Sequence, residues 1–260
     1  MAASRTSTTN DRYDFEPIGV VRSPFSEKFG IPRQPGLVAE AKGVLELKNH
    51  PFLKQACAGL EGFSHLWLIF VFHQHDARAW KPSIRPPRLG GKKRVGVLSS
   101  RSPHRPNPIG LSACRIEKLE LDHPEGPRIR LIGVDLLDGT PVLDIKPYLP
   151  YADSIPDASS GWASEPIRRY EVRFSEEAEE QLESLLASDP TRFQSLRPLI
   201  VELLELDPRP AFLQRRRPVG DPATEEERYG FKVGVHDVKW RVVQGAFLVD
   251  RLVPLNEEEN

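Results

Sequence analysis

The stretch Arg128-Ile-Arg-Leu-Ile-Gly-Val-Asp-Leu-Leu-Asp-Gly-Thr-Pro-Val-Leu-Asp-Ile-Lys146 holds two runs of alternating apolar residues separated by Asp138-Gly139. Period-two alternation marks a half-buried strand, and Asp-Gly between two such runs is a strong hairpin signal. The stretch therefore predicts strands over 128–136 and 140–146, joined as a hairpin. Five further runs upstream read the same way, over 15–21, 38–47, 65–72, 94–99 and 112–121. One short helix, over 52–58, interrupts them, with Asn49-His50-Pro51 as N-cap and early helical proline and Gly59 as the stop. A parallel doubly wound sheet needs a crossover helix between strands, and these runs lack them. They suit a single-sheeted antiparallel β-barrel, whose closure removes exposed edges.

The composition changes after Trp162. Residues 171–190 carry six Glu and one Asp, and Ala178, Leu182, Leu185 and Leu186 recur at helical spacing over 176–187. A second helix is expected over 192–206, ending at Asp207-Pro208-Arg209-Pro210, then a charged loop over 214–228. Runs 233–243 and 247–252, split by Gln244-Gly245, predict a terminal hairpin. The expected organisation is a flexible tail over 1–12, a barrel domain over 13–164 and a smaller α+β C-terminal domain over 165–260. The chain as a whole reads as mainly β.

At 260 residues, with 39% hydrophobic and 28% charged residues, the chain falls among ordinary globular proteins. Its longest apolar run, 66–72, is too short to cross a bilayer, and residues 1–12 lack the apolar centre of a signal peptide. Cys57 and Cys114 form neither a metal-ligand spacing nor a disulfide framework, which points to a reducing cytoplasm.

Charge is sorted along the chain. The formal net charge is -1, yet residues 77–116 contain ten Lys and Arg and no Asp or Glu. Such sorting gives one face a field attractive to polyanions. Within it, Arg101-Ser-Pro-His-Arg-Pro-Asn-Pro-Ile-Gly-Leu111 is stiffened by three prolines, so its charges point in fixed directions, as a site for a charged ligand requires. The glycines of Leu89-Gly-Gly-Lys-Lys-Arg-Val-Gly96 resemble a phosphate loop, but Val97-Leu98 stands where Lys-Ser/Thr is needed. No Gly-x-Gly-x-x-Gly occurs, so a dinucleotide fold has no support either. His73 and His75, flanking Gln74, share one face of an extended chain and could ligate a metal, yet no further ligand cluster accompanies them. His73-Gln74 reads better as a hydrogen-bonding strand end, and His75 as simple strand-end polarity. Asp135 shares the parity of Ile129 and Leu131, which sets a carboxylate at the rim of a core. It either holds a ligand hydroxyl or ammonium, with Gly133 allowing close approach, or pairs with an Arg. Asp138 is explained by its turn, and Asp144 and Lys146 by pairing.

Eight strings stand out: Ile18-Gly-Val-Val-Arg-Ser-Pro24, Lys28-Phe29 with Pro32-Arg-Gln-Pro35, Gly59-Leu-Glu-Gly-Phe-Ser-His-Leu-Trp67, Arg85-Pro-Pro-Arg-Leu-Gly-Gly91, Arg101 to Leu111, Val134-Asp-Leu-Leu-Asp-Gly-Thr-Pro141, Asp144-Ile-Lys-Pro-Tyr-Leu-Pro150 and Asp207-Pro-Arg-Pro-Ala211. In this order they resemble the TrmO family, the S-adenosylmethionine-dependent tRNA (adenine-N6)-methyltransferases. The resemblance implies a barrel that forms a homodimer and holds S-adenosyl-L-methionine near the subunit interface. Cofactor contacts carried over are Pro32, Arg33, Gln34, His73, Gln74, Arg101, Leu111, Ile132, Gly133, Val134 and Asp135. The implied substrate is the threonylcarbamoyl-modified adenosine beside the anticodon, methylated at N6, with Arg85, Arg88, Lys92, Lys93, Arg94 and Arg105 contacting the tRNA. The target nitrogen is urea-like and a poor nucleophile, so its proton must leave as the methyl arrives. Tyr148, Asp144 and His104 are candidate bases, each with an equally good structural explanation. Two positions depart from the family pattern: Phe212 stands where Tyr is frequent, and His236-Asp237 falls two places from its counterpart. The competing readings are a non-catalytic RNA-binding β-barrel that recognises the modified anticodon loop, and a metal-dependent hydrolase built on His73 and His75.

Overall fold

The computed structural model describes residues 13–225 and 227–255, so the tail expected over 1–12 lies outside the described residues. The strands are β1 (Gly19–Arg22), β2 (Lys42–Leu47), β3 (His65–Val71), β4 (Ser83–Ile84), β5 (Val95–Gly96), β6 (Ile109–Glu120), β7 (Arg128–Ile132), β8 (Thr140–Pro147), β9 (Val172–Phe174), β10 (Arg228–Val233), β11 (His236–Val243) and β12 (Ala246–Pro254). The helices are α1 (Pro51–Ala56), α2 (Pro150–Asp153), α3 (Glu176–Ser188), α4 (Pro190–Phe193), α5 (Leu196–Glu205) and α6 (Ala211–Arg216).

Six strands close an antiparallel barrel in the order β1-β2-β7-β6-β3-β8, and β8 returns to β1 through Gly19–Val142 to Val21–Thr140. Alternation does what the sequence pattern requires. On β3, Leu66, Leu68 and Phe70 are buried inside while His65, Trp67, Ile69 and Val71 face outward, half-buried. Val21, Leu45, Cys114, Ile129, Leu131 and Val142 complete an interior that a six-stranded barrel fills with side chains.

Three expectations are corrected. The strand expected over 94–99, the fourth of seven, shrinks to β5, which pairs only with β4 in a ribbon outside the barrel before the chain turns at Val97–Ser99. The buried Val97 anchors that turn, and its amide donates to Pro82 O. The hairpin expected around Asp138-Gly139 does not form either. The edges of β7 are taken by β2 and β6, and those of β8 by β1 and β3. Gly133, at φ 74°, ends β7, and the chain then crosses the barrel mouth. The turn is fastened to the other side, where Asp138 Oδ1 accepts from Ser23 N at 2.9 Å and Gly139 N donates to Val21 O at 2.9 Å. Gly133 packs closely on Gly36, whose N donates to Gly133 O at 2.9 Å.

The third correction is in the C-terminal region. The helix expected over 192–206 is split into α4 and α5 because Pro198 lacks an N–H and would clash with the carbonyl four residues back. The expected loop over 214–228 begins inside α6. The terminal hairpin forms as β11–β12, with Gln244 and Gly245 both at positive φ. It belongs to a mixed sheet ordered β10-β11-β12-β9, in which β9 runs parallel to β12. Ser175 caps α3, accepting from Ala178 N at 3.1 Å, and three glutamates in the first turn complement the helix dipole. One apolar core runs through both regions, with Phe25 of the barrel side and Phe231 of the sheet in the same cluster. Gly234 N donates to Pro24 O at 2.8 Å across this seam.

Gly133→Ala should therefore be costly. It forces a side chain into the left-handed region and sets a Cβ 3.0 Å from Gly36 Cα. A loss of about 2–3 kcal/mol in urea unfolding is expected. Gly139→Ala, at φ 72° but with nothing within 4 Å, should lose only about 1–2 kcal/mol. Equal losses for the two variants would show that the Gly36 contact contributes nothing.

Candidate functional site

At the barrel mouth a cleft of about 620 Å³ opens between the segments 28–34, 70–75, 100–112 and 135–140. Its volume suits a small-molecule ligand. Phe70, Phe72, Ile109, Leu111 and Leu136 give it apolar walls. On its floor the Ser112 hydroxyl donates to Asp135 Oδ1 at 2.6 Å. Ser112 is buried, pointing inward between Gly110 and Cys114 on β6. Burial raises the Asp135 carboxyl to about 6, against the lowering effects of the Ser112 hydroxyl, its own backbone amide and the more distant Arg101 charge.

One wall is a chain of oriented polar groups. Arg101 Nη1 donates to Gln34 Oε1 at 2.6 Å, which turns the Gln34 amide so that Nε2 donates to Arg33 O at 2.5 Å. Arg33 Nη2 in turn donates to Arg209 O at 3.0 Å. Burial lowers the Arg33 pKa, partly offset by Asp207. Beneath this wall Arg209 and Asp207 form a buried bidentate pair with both contacts at 2.8 Å. On the opposite side Lys28 Nζ donates to Gln74 O at 2.9 Å. The His75 and His104 rings meet edge to face, 4.2 Å between centroids. His75 Nε2 and His104 Nδ1 are buried without a partner among the described residues. Burial, then His75, Lys81 and Lys28, hold His104 below its ordinary pKa.

Eight of the expected cofactor residues line this cleft: Pro32, Arg33, Gln34, His73, Gln74, Arg101, Leu111 and Asp135. Ile132, Gly133 and Val134 do not. Ile132 pairs with Lys42 and Arg115, Gly133 packs on Gly36, and Val134 is fully buried above Gly43. Of the candidate bases only His104 faces the cleft. Asp144 pairs with Lys146 at 2.8 Å, and the Tyr148 ring lies 5.6 Å from Trp67. Among the tRNA candidates Arg105 lines the cleft and donates to Ser100 O at 3.0 Å. Arg85, Arg88, Lys92, Lys93 and Arg94 lie on the ribbon and its turn, all exposed. Arg88 bonds to Glu165 O, and Arg94 to Ser83 Oγ at 3.0 Å. His236 is buried beside Phe193, and Asp237 bonds to Lys239. Sequence reasoning missed Ser112 and Lys28. For Ser112 the available signal is a hydroxyl at a core position of a strand. For Lys28 it is the recognised Lys28-Phe29 string itself. Among the described residues no three His, Cys, Asp or Glu come together to hold a metal ion, and no helix is long and apolar enough to cross a membrane.

A closed barrel with a carboxylate-floored cleft at its mouth, one wall of which comes from an acid-free cationic segment, defines a barrel with a small-molecule-sized pocket beside a basic surface. The chain matches the tRNA-methyltransferase O N-terminal domain over residues 20–154 and the TrmO C-terminal domain over 167–255. The chain belongs to the TrmO family. It is 46% identical to the tRNA (adenine(37)-N6)-methyltransferase of Escherichia coli, across 93% of this chain and 98% of that one. It is 44% identical to a putative S-adenosylmethionine-dependent methyltransferase of Pseudomonas aeruginosa, across 88% and 92%. The crystal structure of TrmO from Pseudomonas aeruginosa superposes with a TM-score of 0.72 at 38% identity, covering 93% of this chain and 98% of that one.

The Asp135 carboxyl makes stability depend on pH. Its ordinary pKa is 3.8 and its folded value about 6, so between those values the folded chain holds a proton that the unfolded chain has released. Its contribution is therefore greatest below its unfolded pKa and falls as pH rises through about 6. Asp135→Asn should remove that slope and leave the ligand-free chain more stable than wild type at neutral pH. Parallel urea titrations across this range check it, and identical slopes would show that Asp135 is not the group responsible.

Proposed function

We propose that the chain transfers a methyl group from S-adenosyl-L-methionine to N6 of adenine 37 in tRNA, and that this base bears a threonylcarbamoyl group. One observation carries the reading: a cleft of small-molecule size, floored by Asp135, takes one wall from the 77–116 segment, whose charged side chains are all cationic. A purely phosphate-binding barrel would have no use for the apolar walls or the carboxylate, which disfavours the non-catalytic alternative. Bound in the cleft, S-adenosyl-L-methionine supplies an electrophilic methyl group on a sulfonium.

The residues present fit that ligand. Asp135 accepts from an ammonium or hydroxyl, while Pro32, Arg33, Gln34, His73, Gln74, Arg101 and Leu111 border the rest. Ile132, Gly133 and Val134 act from beneath, by fixing the segment that carries Asp135. Methyl transfer is an in-line displacement, so much of the chain's contribution is alignment. His104 accepts the N6 proton as the nitrogen–carbon bond forms. Its lowered pKa keeps the imidazole neutral and able to accept at neutral pH. Arg85, Arg88, Lys92, Lys93, Arg94 and Arg105 contact tRNA phosphates. The compartment we assign is the cytoplasm, in keeping with two unpaired buried thiols.

The working unit we propose is a homodimer. The outward faces of β3 and β6 set Trp67, Ile69 and Val71 against Ala113, Leu111 and Ile109, an apolar surface contiguous with the cleft through Leu111. A second copy covering it would bring the cleft to the subunit interface. Ile69→Glu should convert the dimer to monomer in sedimentation. A wild-type chain that sediments as monomer would remove the proposal.

The activity is tested with methyl-labelled S-adenosyl-L-methionine and tRNA carrying the threonylcarbamoyl group. Label is expected at N6 of that nucleoside, with or without a chelator. No label on tRNA, or label only when zinc is restored after chelation, would overturn the reading.

A further inference from the structure

Two aromatic side chains outside the cleft lining stand exposed, Trp80 at 46% and Phe212 at 57%. Each lies close in sequence to a residue bonded to the cleft lining. Lys81, next to Trp80, donates its N–H to His104 O at 3.0 Å. Phe212 lies in the first turn of α6, three residues after the Arg209 whose carbonyl receives the Arg33 guanidinium at 3.0 Å. A lone exposed aromatic is ordinary on a protein surface. These two differ in their surroundings. Phe212 shares a helix face with Arg215 and Arg216, one turn on. Arg215 Nη1 donates to Gly90 O at 2.9 Å, which holds the turn carrying Lys92 and Lys93 against α6. Trp80 lies in the acid-free segment itself.

We infer that Trp80 and Phe212 are stacking platforms for the unpaired nucleotides flanking the target adenine. This rests on the tRNA reading above. Reaching N6 inside a cleft requires the base to leave its neighbours, whose faces are then uncovered. Aromatic rings among cations cover such faces while the cations meet the adjoining phosphates. A duplex offers no free base face, so the arrangement selects a single-stranded loop. The Arg215–Gly90 bond makes this a surface shared between α6 and the ribbon turn.

The experiment measures tRNA affinity over a salt series for wild type, Trp80→Ala, Phe212→Ala, Phe212→Tyr and the Lys92→Ala/Lys93→Ala pair. Each aromatic-to-alanine change should weaken binding by about ten- to a hundredfold at every salt concentration, with the wild-type salt slope, because stacking releases no counterions. Phe212→Tyr should bind as wild type. The lysine pair should flatten the slope by about two. Melting temperature and S-adenosyl-L-methionine affinity should not change in the alanine variants, since both rings are exposed. Wild-type affinity in both alanine variants would overturn the inference, as would a loss accompanied by a flatter slope. A loss that appears only as a change in oligomeric state would assign the rings to a protein contact instead. If wild type itself binds no tRNA, the tRNA reading falls first, and this inference with it.

Discussion

β7 and β8 follow one another in sequence but are not neighbours in the barrel, and the site depends on that constraint. The chain between them must cross the barrel mouth, because each strand already has two other partners. Gly133 turns it inward at positive φ, and Asp138 and Gly139 fasten it to β1. Those two anchors leave the intervening residues little freedom, so Asp135 is held over the barrel end within reach of the Ser112 hydroxyl on β6. A hairpin at the same place would have carried 133–139 beyond the barrel end and left the cleft without a floor. Barrel closure and the cleft floor are thus one feature of the topology.

A second anchor lies under the Arg33 wall. Arg209 is fully buried, and its guanidinium is satisfied by both Asp207 oxygens and by Arg217 O at 2.8 Å. Two buried ions are expensive to desolvate, so such a pair adds little net stability even when its geometry is good. Its effect is directional: removing one partner would leave the other charge uncompensated, so the backbone at 207–209 is held in place. Arg33 uses that fixed backbone, donating to Arg209 O, and Gln214 closes the same turn through Asp207 O and Arg209 O. The C-terminal region thereby sets the position of a cleft residue although it lines none of the cleft.

The barrel was legible because alternation is a local signal. Leu66, Leu68 and Phe70 are recognisable as one face before any partner is known. Neighbour order is not local, and the Asp138-Gly139 rule misled because it presumes that consecutive strands pair. β9 was invisible for a related reason: three residues parallel to β12 carry no periodicity of their own. β10 was hidden by Gly230, whose missing side chain makes room for Asp237 and Lys239 across the sheet. In the site, charged and aromatic residues on stiff segments, such as Arg101 and His73, stood out. Ser112 did not, because a hydroxyl at a core position reads as packing until the carboxylate facing it is known.

The Asp135 carboxyl joins stability and binding in opposite senses. In the ligand-free chain its charge is opposed by burial and relieved mainly by one hydroxyl, so neutral pH is not the condition that suits it. A ligand bringing a positive group to Oδ2 would favour the ionised form and draw the pKa down. Binding of such a ligand then releases a proton near pH 6 and strengthens as pH rises, while the empty cleft becomes less stable over the same range. A neutral ligand offers no such compensation and would meet a carboxylate that must stay desolvated. The residue that weakens the empty fold is therefore the one that a positive ligand group at Oδ2 would relieve, most strongly where the unliganded chain is least at ease.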